Sequence, residues 1–327
     1  NRIRELHRAW SFLVMRRHFL LDDRLQRLDA PRFADVGMLR QAVRRAHHVG
    51  PQAQRVEQLI PTGAKGVMAP ATLIELTDDG STELPEGEPI GSVLPAGAIA
   101  ARFDGELVDL SFVPSQDGKA GPVDAAEPDG LHVLRHSAAH VLAQAACDLW
   151  PGTRYAIGPP IDDGFYYDLE LPGPISESDL PKIEDRMREI VAADQPFIRE
   201  EVSRSGALQR FADQPYKREI IESLDESEGA LGDTVTVYRN DGWADLCLGP
   251  HVPSTGRLGA FRLMKLAGAY WRGDETNPML QRIYGTAWAT EQDLDAYLHR
   301  LEEAEKRDHR KLGRELDLFT SPDELGP

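Results

Sequence analysis

The sequence predicts an α+β protein of two or three domains. Three features lead there: a length beyond one compact core, an abrupt change of charge near residue 67, and helical and strand periodicities that alternate through the middle. At 327 residues the chain lies past the roughly 250–300 at which a single hydrophobic core stops growing. Hydrophobic residues make up 41% and charged residues 28%, which supplies apolar surface for cores and charge for solubility. The formal net charge of −17 argues against a protein that grips phosphates over a broad surface. Residues 1–67 nevertheless carry 13 Lys plus Arg against 6 Asp plus Glu, whereas residues 68–327 carry 24 against 48. Two unlike pieces are joined there.

The basic piece has modest helical periodicity and no chemistry-bearing cluster. Met68 is the expected native start, with residues 1–67 an upstream extension. No apolar run approaches the ~20 residues of a membrane-spanning helix, and the apolar patch at 10–15 lacks a small-residue cleavage site, so a cytoplasmic location is expected. Two cysteines, Cys147 and Cys247, leave no disulfide framework to expect.

From residue 72 an apolar run reaches Asp78-Asp79-Gly80 and resumes toward Leu84, the pattern of a β-hairpin. A second strand pair is expected at 99–103 and 107–112 around Asp104-Gly105, and the Gly-, Pro- and Asp-rich residues 116–129 read as a linker. A firm helix follows over 131–150, stopped by Pro151-Gly152. Ser178 or Asp179 can cap another, with Pro181 in its first turn and Ile183, Met187, Ile190 and Val191 as its buried stripe. Strands are expected at 197–202, 234–238, 263–271 and 281–288. Thr290 can cap a last, polar helix with an apolar stripe of Leu294, Tyr297, Leu298 and Leu301.

The sharpest chemical feature is LRHSAAHVLAQA, in which His136 and His140 stand four apart and project from one helical face. A second is WADLCLGPHVPSTG, which sets Cys247 and His251 four apart beside Asp245 in a Gly-Pro loop after a strand. Together they supply side chains able to converge on a water or a metal. Each half is weak alone, because helical histidine pairs are often merely hydrogen-bonded and Cys-x-x-x-His arises by chance. Cys147 reads as a core thiol and His132 as a helix-surface residue, neither with a role.

These motifs occur in order with IGPPIDDGFYYDL, QPYKREII and LMKLAGAYWRGDETNPMLQRIYGTAW. The set resembles the N-terminal TGS and editing (second additional) domains of bacterial threonyl-tRNA synthetases, a relative of alanyl-tRNA synthetase editing domains. The resemblance runs from about Met68 to Pro327. It implies a small ubiquitin-like β-grasp (TGS-like) module at 68–115, shortened here, the linker at 116–129, an α+β editing domain at 130–289 and a connecting helix at 290–327. Residues 1–67 fall outside it.

The resemblance implies that His136, His140, Lys217, Asp245, Cys247 and His251 form the editing site, with Tyr167 binding substrate. The family has arginine where this chain has Leu248. The implied reaction is hydrolysis of seryl-tRNA(Thr) without a metal, the alternative being zinc held by His136, His140, Cys247 and His251. The implied partners are tRNA(Thr) and its mischarged form, with no membrane or DNA. The ligase core, with its ATP and zinc sites and the dimer contacts, would lie outside this chain, so a monomer that does not aminoacylate is expected. Two further expectations stay open: a non-catalytic RNA-binding or regulatory fragment, and a free-standing trans-editing deacylase.

Overall fold

The computed structural model describes residues 71–77, 80–224 and 233–307. The basic extension, Met68, the Asp78-Asp79 turn and the end of the chain lie outside the described residues.

The first unit is a five-stranded sheet built from β1 (Ala71–Leu76), β2 (Ser81–Pro85), β3 (Ala100–Phe103), β4 (Glu106–Val108) and β5 (Gly118–Val123). The strand order is β2-β1-β5-β3-β4, with β1 and β5 parallel and the other neighbours antiparallel. Both expected strand pairs form, but β4 stops at Val108 and residues 109–112, expected to continue it, are not strand. Asp104 and Gly105, at φ 50° and 86°, turn β3 into β4 in the left-handed conformations that a two-residue hairpin needs. The expected linker is corrected: residues 118–123 within 116–129 form β5, the central strand. Its Gly-Lys-Ala-Gly-Pro-Val sequence reads as loop because small residues replace the usual β-branched ones, yet Ala120 and Val123 are fully buried. Between β2 and β3 only a short 3-10 turn, Ile90–Val93, covers a core of Ile74, Leu84, Ile90, Ala101, Phe103 and Ala120.

The second unit is organised around α1 (Pro128–Leu149), which begins three residues before the expected 131 because Pro128 is well placed in a first turn. Every residue from Ser137 to Ala146 is buried. A helix enclosed on all sides needs neighbours close by, and its alanines admit them. α2 (Leu180–Ala192) packs along α1 with Ile183, Met187 and Ile190 buried, whereas Val191 is half-buried. Its capping differs from expectation: Ser176 and Asp179 cap one another across a 3-10 turn that leads into the helix.

Against α1 lies an antiparallel sheet of order β12-β13-β8-β6, made of β6 (Arg154–Tyr155), β8 (Gly164–Glu170), β12 (Ala260–Tyr270) and β13 (Met279–Trp288), with β7 (Pro160–Ile161) paired to β8. A smaller sheet, β11-β10-β9, combines β9 (Ile198–Ser203), β10 (Thr234–Asn240) and β11 (Trp243–Leu246). Helices α3 (Arg204–Arg210) and α4 (Pro215–Ser223) follow β9. α5 (Glu291–Lys306) is capped by Thr290 as expected, but only Leu294 of its stripe is buried and Leu301 is 40% exposed. Leu134, Leu142, Phe165, Leu169, Met187 and Ile283 share one core with Ile99, Ala100 and Val123 of the first unit, so the two units are packed together.

Directly opposed on β8 and β13, Asp168 and Arg282 form a two-pronged ion pair at 2.6 and 2.7 Å, with the guanidinium 3.9 Å from the Tyr166 ring. Asp168 is 3% exposed. Arg282→Ala should therefore remove both bonds of a buried ion pair and lower unfolding stability by about 3 kcal/mol. A urea midpoint equal to that of the parent protein would contradict this.

Candidate active site

Two short pieces of backbone bring the chemistry together. α1 carries His136 and His140 on one face, and the loop after β11 carries Cys247 and His251. Potential ligand atoms from all four residues lie within 4.8 Å of one another. The Cys247 Sγ stands 3.3 Å from Nε2 of both His136 and His251. The His251 ring centroid is 4.1 Å from that of His140 and 4.3 Å from that of His136. His140 and His251 are buried, while His136 and Cys247 keep partial exposure and form the open side.

Behind this cluster, α4 contributes Lys217, β8 contributes Tyr167 and β11 contributes Asp245. The Lys217 Nζ meets Asp245 Oδ1 at 2.5 Å, and the Tyr167 hydroxyl donates to Asp245 Oδ2 at 2.5 Å while accepting from Lys217 at 3.2 Å. His140 Nε2 approaches the same carboxylate at 3.6 Å. All seven residues expected from the sequence thus fall in one place.

The loop geometry depends on Gly249. At φ 75° it adopts a conformation that disfavours other residues, and a Cβ there would lie 2.0 Å from the Tyr238 hydroxyl. This reverses the chain after Cys247 so that His251 faces back toward it, and Gly249 N–H donates to Cys247 Sγ at 3.2 Å.

Ser137, one residue past His136, decides the protonation of His251. Its hydroxyl donates to the Val133 carbonyl at 2.8 Å and accepts from Val252 N–H at 3.1 Å. The hydroxyl proton is therefore used, and the 3.0 Å contact with His251 Nδ1 requires the imidazole to donate. The lone pair of His251 is left on Nε2, facing Cys247.

Burial governs the charges. It holds His136 down to about 3, helped by the neighbouring His132 and Lys217. Burial also holds His140 and His251 well below 6.5, with adjacent imidazoles adding to the effect. Burial pushes the Asp245 carboxyl up, opposed by Lys217, and pushes the Cys247 thiol up, reinforced by Asp245. The site is a set of neutral imidazoles and a neutral thiol beside one buried ion pair.

Among the residues given no role, His132 is exposed as expected, and Cys147 is a half-buried thiol pushed up to about 12 by burial. Leu248 is 59% exposed beside the site. Sequence reasoning missed Ser137, Tyr238, Phe197 and Asp109. Phe197 stacks on His251 at 4.9 Å and 5°, Tyr238 meets the same ring edge-on at 4.5 Å, and Asp109 accepts the His251 backbone N–H at 2.9 Å. Only Ser137 carried a local signal, lying inside the His-x-x-x-His motif.

Residues 235–284, which contain Asp245, Cys247 and His251, match the family model for the threonyl and alanyl tRNA synthetase second additional domain. The threonine–tRNA ligase of Rubrobacter xylanophilus is 56% identical over 239 residues, 73% of this chain and 36% of the relative. That of Thiobacillus denitrificans is 53% identical over 238 residues, 72% of this chain and 37% of the relative. That of Streptococcus thermophilus is 50% identical over 250 residues, 76% of this chain and 38% of the relative. The chain is a homologue of threonine–tRNA ligases. It spans little more than a third of the length of these curated relatives.

The buried imidazoles make stability depend on pH. Unfolded, each titrates near 6.5, whereas folded each is held lower, so below about pH 6.5 the unfolded chain binds protons that the folded one refuses. Asp245 and Asp109, both raised by burial, act in the opposite sense but are two groups against three. The melting temperature should therefore fall steadily from pH 7 to pH 4. A profile flat across that range would contradict the burial of three neutral rings.

Proposed function

We propose that this threonine–tRNA ligase homologue proofreads, hydrolysing the ester of seryl-tRNA(Thr) and sparing threonyl-tRNA(Thr). The reading is carried by the convergence of three neutral imidazoles and a thiol on a partly open site backed by the Lys217–Asp245–Tyr167 triad. The need is physical: serine and threonine differ by one methyl, worth only about 1–3 kcal/mol in a binding pocket, so a second, hydrolytic sieve is the remedy.

In the proposed reaction a water oxygen bonds to the seryl carbonyl carbon, the bond to the ribose oxygen breaks, and a proton passes to that oxygen. A histidine held near 3 binds a proton weakly, which suits His136 to orienting the water through its lone pair rather than storing its proton. Lys217, fixed by Asp245 and Tyr167, brings a positive charge toward the developing oxyanion. His140, Asp245, Cys247 and His251 hold the seryl group and terminal adenosine. The first sheet, with parallel β1 and β5 at its centre, is read as the TGS-like β-grasp module. A cytoplasmic, monomeric protein acting on tRNA(Thr) is proposed, and among the described residues no helix is long and apolar enough to cross a membrane.

A second reading has one observation in its favour. His140 Nδ1 is buried without a hydrogen-bond partner, and the His3Cys set fits tetrahedral zinc in ligand type and proximity. His136, His140, Cys247 and His251 would be the ligands, and zinc when bound would activate water and polarise the carbonyl. The metal-free reading is preferred because it is the one the resemblance implies and because Lys217, held by Asp245 and Tyr167, already places a positive charge behind the cluster.

The decisive assay is release of serine from seryl-tRNA(Thr), with threonyl-tRNA(Thr) as control, in the presence and absence of a chelator. Selective, chelator-insensitive release is expected, and His136→Ala should slow it at least about 100-fold. Chelator-sensitive release would replace the metal-free reading with the zinc one. Failure of the parent protein to release serine would overturn the proofreading assignment.

A further inference from the structure

Asp109 directly follows β4 and belongs to the first unit, yet its carboxylate is spent on the second. Oδ1 accepts the backbone N–H of His251 at 2.9 Å, and Oδ2 accepts the Tyr238 hydroxyl at 2.5 Å. Tyr238, on β10 and 1% exposed, packs its ring edge against His251 and its hydroxyl against the backbone of Gly249. One carboxylate thus holds both the end of the 247–251 loop and the side chain that braces its middle. That loop carries Cys247 and His251. The docking has an independent anchor in Arg257, whose Nη2 donates to the carbonyls of Ala96, Gly97 and Ala98 at 3.1, 2.9 and 3.2 Å. Ile99, Ala100 and Val123 of the first sheet enter the main core beside it.

We infer that Asp109 is a positioning residue through which the first unit completes the candidate active site, clamping the 247–251 loop so that Cys247 and His251 meet the substrate. The inference rests on the proposed hydrolysis for its consequence in catalysis, but the clamp itself has a consequence that does not. A charged acceptor bonded to a backbone N–H and a buried hydroxyl is worth enough that its loss changes local equilibria about tenfold or more.

The test compares Asp109→Ala and Asp109→Asn in the full chain, since the shared core makes a separated second unit an unsound comparison. Asn keeps an oxygen for the His251 N–H and offers its amide to the Tyr238 hydroxyl. In Asp109→Ala the KM for seryl-tRNA(Thr) should rise about tenfold with kcat retained, because the loop holds substrate, and Asn should restore it. A variant that is merely less stable would lose active molecules and so lose kcat at unchanged KM. Independently of activity, alkylation by iodoacetamide, mapped to each cysteine by mass spectrometry, should accelerate about tenfold at Cys247 in Asp109→Ala and return to the parent rate in Asn. Cys147, on α1 away from the loop, is the internal control and should not change. Unchanged Cys247 reactivity in Asp109→Ala, or equal acceleration at both cysteines, would overturn the inference. Should the parent protein fail to deacylate while Cys247 alone is loosened, the proposed function falls and the clamp stands.

Discussion

Lys217 and Asp245 meet at 2.5 Å where each is 3% exposed, and four elements depend on that contact for their mutual placement. Taking two charges out of water costs several kcal/mol apiece, and mutual attraction recovers this only when further hydrogen bonds complete the geometry. Tyr167 completes it, donating to the carboxylate and accepting from the ammonium, while His140 lies alongside. The pair therefore ties α4 to β11, β8 and α1 at one point. Because β11 runs straight into the Cys247 loop, the point that fixes Asp245 also fixes where that loop begins.

The neutral imidazoles follow from the same burial. Three rings packed with centroids 4.1–5.2 Å apart in a site already holding an ammonium cannot take up further positive charge cheaply. Each is held below its ordinary range, and each keeps a lone pair for accepting a hydrogen bond or binding a metal. The same surroundings keep Cys247 as a thiol. What the fold supplies here is a set of neutral acceptors rather than a store of protons or a thiolate nucleophile, which suits the proposed hydrolysis without a covalent intermediate.

The two units are joined by apolar packing and by a few polar contacts of high consequence. β5 makes this possible: it is the middle strand of the first sheet, and its last residue, Val123, lies in the core of the second unit five residues before α1 begins. A segment with the composition of a linker thus supplies a central strand whose Ala120, Gly121 and Val123 are buried. Arg257 and Asp109 then add polar contacts between the two units.

The sequence by itself determined the pairing of histidines on α1 and of Cys247 with His251, because a four-residue spacing on a helix or across a tight Gly-Pro loop is local geometry. The apolar stripe of α2, the Thr290 cap and the two hairpins were legible for the same reason. Lys217 and Tyr167 were reached only through the resemblance, since no spacing links them to Asp245, 28 and 78 positions away, whereas Asp245 itself stood beside the Cys247 motif. Tertiary structure alone decided that β5 is a central strand, because the neighbours that stabilise a strand of small residues come from elsewhere in the chain. It alone decided the roles of Ser137, Tyr238 and Asp109, whose bonds to the His251 segment span 114 and 142 residues or run through another side chain. And it alone decided the charge state of the site, since burial depends on what surrounds a side chain rather than on what precedes and follows it.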